Sequence, residues 1–192
     1  MALIDPAKHF ADTFNSLMRD LVELDKTFED KALGSRLFAM LLVSSIEASS
    51  RLLIAHLNFT IETFKYRGAI TEEDYIASFC EEYKIKDTGE VKRFAAFVPP
   101  KALVEFSLKY LLKFYGIPER DLFSSDGWDK MQKTIEIRHR VTHPSKAEDM
   151  QVLPEEAKIC KGALVWYTHT IKGLFNEGSK AIEELRASGK IA

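Results

Sequence analysis

The sequence predicts an all-α protein: a bundle of about five or six helices forming one domain over residues 1–192. Three observations carry that expectation. Apolar residues recur at spacings of three and four along most of the chain, the period of a helix with one buried face. Nine Gly and six Pro are too few to punctuate a turn-rich β-sandwich. With 46% hydrophobic and 29% charged residues the chain has matter for a core, and a disordered chain is excluded.

The elements follow in order. Phe10, Phe14, Leu17, Leu21, Leu24 and Phe28 mark a first helix from about Pro6 to Lys31, with Pro6 suited to its opening turn and Gly34 to its stop. The second helix, about Ser35 to Asn58, is apolar nearly all round, as expected at the centre of a bundle. Its small residues Ser44, Ser45, Ala48, Ser49 and Ser50 would let neighbouring helices approach closely. Glu47 and Arg51 stand four apart in the favourable order and are expected to pair on one face, as structure or in support of a site. The uninterrupted apolar run ends at Val43, short of the roughly 18 to 20 residues a membrane span needs, so a buried helix is expected here.

Thr71-Glu-Glu-Asp has the pattern of a capping box opening a shorter helix, Thr71 to Lys86. Val91 to Val98 is compatible with a strand or with an irregular cover, and residues 60–100 read as an insertion into the bundle. Pro99-Pro100 is a break, after which Lys101 to Tyr115 forms an amphipathic helix closed by Gly116. Ser125 or Asp126 caps a helix running through Trp128, Met131 and Ile135 to about Thr142, because Pro144 disfavours the α conformation at His143. Pro154-Glu-Glu opens the last long helix, past Trp166, Ile171 and Phe175 to Gly178 or beyond.

Composition narrows function only by exclusion. Lys and Arg (27) nearly balance Asp and Glu (29), a net charge of −2, so RNA contact would need a local patch. Cys80 and Cys160 are too few for a disulfide framework or a four-cysteine metal site, and acidic neighbours argue against Cys80 as a nucleophile. His169, beside Trp166 and Tyr167, is expected in core or interface packing. Residues 1–12 carry no basic region followed by an apolar one, so a cytoplasmic location is expected. No Gly-rich phosphate loop or serine-hydrolase elbow is present.

The most unusual stretch is Arg138-His139-Arg140-Val141-Thr142-His143, with two arginines and two histidines in six residues at a helix end. Three readings compete. Glu136, His139 and His143 share a helical face and include a workable His-x-x-x-His metal pair, but the flanking arginines would repel a cation and no second Glu-x-x-His completes a di-iron set. Lys130, Lys133, Arg138, Arg140 and Lys146 against Asp129 and Glu136 leave a local +3, and Arg with His can grip a phosphate and move a proton near neutral pH. The plainest reading is a solvated helix end whose cations complement the helix dipole.

The same residues resemble the Arg-polar-x-x-x-His motif of the HEPN superfamily, with His139 at the polar position; Arg51-Leu-Leu-Ile-Ala-His56 has the spacing but Leu52 in its place. The resemblance implies an all-helical HEPN-like bundle and, as in many members, a metal-independent endoribonuclease of toxin, antiphage or RNA-processing systems, with no cofactor. It makes His143 the general acid or base, Arg138 the phosphate-binding group and His139 the polar residue. Lys130, Lys133, Arg140 and Lys146 are then expected to bind RNA around them, with Glu47 and Arg51 in possible support. It further implies a homodimer in which two motifs face each other, and a toxin setting would add an antitoxin or other partner protein. Ser145 stands where one toxin subgroup has Tyr, so regulation by nucleotide attachment is not implied here. The alternative is a non-catalytic HEPN-like module binding RNA, nucleotide or a protein.

Overall fold

A computed structural model describes residues 6–28, 32–119 and 121–187. Six helices dominate: α1 (Pro6–Phe28), α2 (Ala32–Phe64), α3 (Glu72–Ser78), α4 (Pro100–Tyr115), α5 (Asp126–Thr142) and α6 (Pro154–Ala187). An antiparallel hairpin, β1 (Glu81–Ile85) and β2 (Val91–Ala95), lies between α3 and α4. The all-α class is as expected, and the insertion consists of α3 and the hairpin.

α2 is the central pillar, packing against α1, α4, α5 and α6. Leu42, Ile46, Leu53 and Leu57 are buried on it, as are the small residues Ser49 and Ser50, which bring neighbouring helices close. Ser50 shares a hydrogen bond with the buried Tyr167 hydroxyl of α6 at 3.2 Å. Further along, the Tyr110 hydroxyl donates to Asn58 Oδ1 (2.7 Å) and Asn58 Nδ2 to Ser78 Oγ (2.8 Å), so one buried amide joins three helices. Among the described residues α2 alone is long and apolar enough to cross a membrane, and half of its most apolar stretch is buried against the bundle.

Several boundaries differ from expectation. Gly34 does not stop α1; it is buried inside α2, which begins at Ala32, while residues 29–31 lie outside the described residues. α2 continues past Asn58 to Phe64 and ends at Lys65, which adopts a positive φ of 54°. Thr71 does cap α3, accepting from the Asp74 N–H while its own N–H donates to Asp74 Oδ2. That helix ends at Ser78 rather than Lys86, because Cys80 turns the chain with φ 49° and the next residues gain a ladder partner in Val91–Ala95. A turn through Asp87-Thr88-Gly89, with Gly89 at φ 81°, closes the hairpin. Glu47 and Arg51 form no ion pair among the described residues: Glu47 is half-buried and Arg51 exposed. His169 is exposed while Tyr167 beside it is buried, since α6 turns about 100° per residue.

Cys160 on α6 is fully buried, and burial pushes its thiol up to about 11 from an ordinary 9.0. A raised value means the folded protein keeps a proton that the unfolded chain releases. The stabilisation is therefore whole below about pH 9 and is lost as the pH rises toward 11, by up to about 1.4 kcal/mol per pH unit. Denaturant melts from about pH 8 to 10.5 are expected to show this fall, and Cys160→Ala to flatten it.

Candidate functional site

α5 is built so that one face anchors the helix and the other carries the cluster. Ser125 Oγ caps it by accepting the Trp128 N–H at 3.2 Å. Trp128, Met131, Thr134, Ile137 and Val141 then face inward at helical spacing, against α6 and α2. That choice of face leaves Arg138 half-buried and Lys133, Glu136 and His139 exposed. The helix ends at Thr142, as Pro144 requires, and His143 leaves the α region at φ −128°, ψ 59°, while its N–H still donates to the His139 carbonyl at 3.0 Å.

The result is a pair of exposed histidines at the helix end. The His139 and His143 rings lie with centroids 5.1 Å apart and planes tilted by 51°, both exposed, and Arg138 is adjacent on the last turn. Among the described residues no carboxylate pairs with Arg138, His139 or His143. Lys133 and Lys146 are exposed nearby and likewise carry no ion pair among the described residues.

The other two expected RNA-binding cations are engaged within the fold. Arg140 is the clamp of the α5–α6 corner. Its Nη1 donates to the carbonyls of Asp149 (3.0 Å) and Gln151 (2.8 Å), and its Nη2 reaches both Glu156 oxygens at 2.8 and 2.7 Å. Glu156 also accepts the Leu153 N–H at 2.9 Å, tying the start of α6 to the clamp. The Asp149 carboxylate accepts the N–H groups of Ser145 and Lys146 at 2.9 and 3.1 Å, so the segment after His143 is pinned at both ends. Lys130 pairs with Asp126 at 2.5 Å. Sequence reasoning missed Asp149 and Glu156; the legible signal was a carboxylate at the third helical position after Leu153, a capping pattern. Glu156→Gln is expected to cost about 1–2 kcal/mol and to speed amide exchange at Ser145 and Lys146, read by denaturant melts and exchange mass spectrometry.

Arg51, considered as a supporting residue, lies elsewhere. It lines a cavity of about 410 Å³ between α2 and the end of α3, together with Asn58, Phe59 and Cys80. His56, five residues on, points to another face, stacked on Phe10 at 5.9 Å and tilted against Phe175 at 6.4 Å. Spacing alone therefore does not bring an Arg and a His together. A second cavity of about 360 Å³ lies between α1 and α6, and neither cavity is lined by Arg138, His139 or His143. No group of three or more potential metal ligands converges among the described residues.

Fold and site together define an all-α bundle that presents an arginine–histidine group at an exposed helix end. The chain matches no protein-family model, no curated protein and no solved structure.

Proposed function

We propose that this chain is a metal-independent endoribonuclease of the HEPN type, acting in the cytoplasm through Arg138, His139 and His143. One observation carries the reading: the His139 and His143 rings lie side by side in solvent with the half-buried Arg138 on the same last turn of α5, and among the described residues none of the three is in an ion pair, while the intervening Arg140 is wholly committed to the fold. Two exposed imidazoles with a guanidinium on the same helix turn supply the groups that phosphodiester transfer needs. Arg138 holds the non-bridging phosphate oxygens and offsets the negative charge that builds on them in the phosphorane. One imidazole takes the 2′-hydroxyl proton as that oxygen attacks phosphorus. The bond to the 5′ oxygen breaks, and an imidazolium returns a proton to it. The products are a 2′,3′-cyclic phosphate and a 5′-hydroxyl. Two copies with their clusters face to face would double the charge and supply acid and base from separate chains. A toxin or antiphage role, with a partner that restrains the enzyme, belongs to the same proposal.

Incubating the purified protein with RNA in EDTA tests it: cyclic phosphate ends are expected. The open setting of the cluster in a single copy favours a second reading, a surface that binds RNA, nucleotide or protein without turnover. RNA retained but uncut, with binding weakened by Arg138→Ala, would select that reading over the first.

A further inference from the structure

We propose that two copies of this chain associate through their β1 strands, edge to edge and antiparallel, centred on Tyr83. The sheet has only two strands, and among the described residues neither makes extended contact with another element. Each strand therefore has one open edge.

The ladder shows which backbone groups face that edge. The Lys86 N–H donates to the Glu90 carbonyl at 2.9 Å and the Ala96 N–H to the Cys80 carbonyl at 2.7 Å, on either side of a register that sets Glu81 opposite Ala95 and Ile85 opposite Val91. Bonded and non-bonded pairs alternate in an antiparallel ladder. Cys80, Glu82, Lys84 and Lys86 thus turn their backbone groups toward β2, and Glu81, Tyr83 and Ile85 turn theirs outward.

A second β1 can use those outward groups only in registers that pair odd residues with odd. Centring on Tyr83 sets Glu82 opposite Lys84 of the second copy and Lys84 opposite Glu82 of the second copy. These fall at the non-bonded positions, where facing side chains come closest. Sliding by one pair sets Glu82 against its own copy, or Lys84 against its own copy. The outer edge of β2 offers no such match in any register that engages two or more of its outward residues: it places Arg93 or Lys92 against its own copy, or pairs no opposite charges at all. Pairing β1 to β2 would repeat without closing and give filaments, whereas the β1 pair closes on its two-fold axis. The proposal is independent of the ribonuclease reading, since it uses no residue of α5.

Sedimentation velocity of the full chain, from low micromolar to near-millimolar concentration, is expected to show a reversible dimer. Amides of Glu81, Tyr83 and Ile85 should gain protection from exchange as the dimer forms, while those of Lys84 and Lys86 stay protected throughout and report an intact hairpin. Glu82→Lys or Lys84→Glu should each weaken the dimer at least tenfold, and the two together should restore it to within about twofold. Tyr83→Pro, which removes an outward N–H and no ladder bond, should abolish it with Lys84 and Lys86 still protected. A monomer at every concentration, association without gained protection at Glu81, Tyr83 and Ile85, or association indifferent to the single charge reversals would overturn the proposal.

Discussion

His143→Ala is expected to lower RNA cleavage by about 10²- to 10⁴-fold, the loss that follows removal of a general acid or base. His143 follows the last residue of α5, its ring is exposed, and its contact with His139 is between rings rather than into the core. The variant should therefore keep its fold, and an unchanged melting curve beside lost cleavage separates chemistry from stability. Arg138→Lys should keep the charge but lose the planar fork, so cleavage should fall there too, with RNA affinity better retained. Cleavage that persists undiminished in His143→Ala would remove the ribonuclease reading altogether.

Gly68→Ala is expected to destabilise the protein by about 3 kcal/mol or more, a drop of roughly 6–12 °C in melting temperature for a chain of this size. Gly68 has φ 55°, and a Cβ there would sit 2.1 Å from the Phe114 carbonyl oxygen and 2.5 Å from that of Lys113. Both obstacles are backbone at the end of α4, where the Ala69 N–H donates to the Lys113 carbonyl at 2.8 Å. Relief would require lifting the 65–70 connection, breaking that bond and disturbing the buried Ile70. Gly89→Ala is the control: its φ of 81° is also left-handed, but nothing lies within 4 Å, so only the conformational cost of about 1–2 kcal/mol applies. Equal melting temperatures for the two variants would show that the clash is not real.

Much of this fold was legible because its signals are local. Period-3.6 apolar patterns, the Thr71 and Ser125 caps, the Gly116 stop and the Pro144 break each act within a turn or two of chain, and the structure has all of them. The hairpin was less so. Glu81–Ile85 looks helical beside α3, and only its partner Val91–Ala95 makes it a strand, which is a non-local fact. Gly34 likewise read as a stop because burial inside α2 depends on neighbours that the local sequence does not name.

At the cluster the same division holds. By itself the sequence determined an all-helical bundle, the end of α5 at His143, and the gathering of two arginines and two histidines there, since backbone preference and helical spacing are properties of adjacent residues. Tertiary structure alone decided what each cation does. Arg140 meets Glu156 sixteen residues away and becomes a clamp, Arg51 and Glu47 fail to pair, and His139 and His143 are left to solvent. Charge pairing depends on which groups the packing of distant helices brings within a few ångströms, and no pattern along the chain carries that distance.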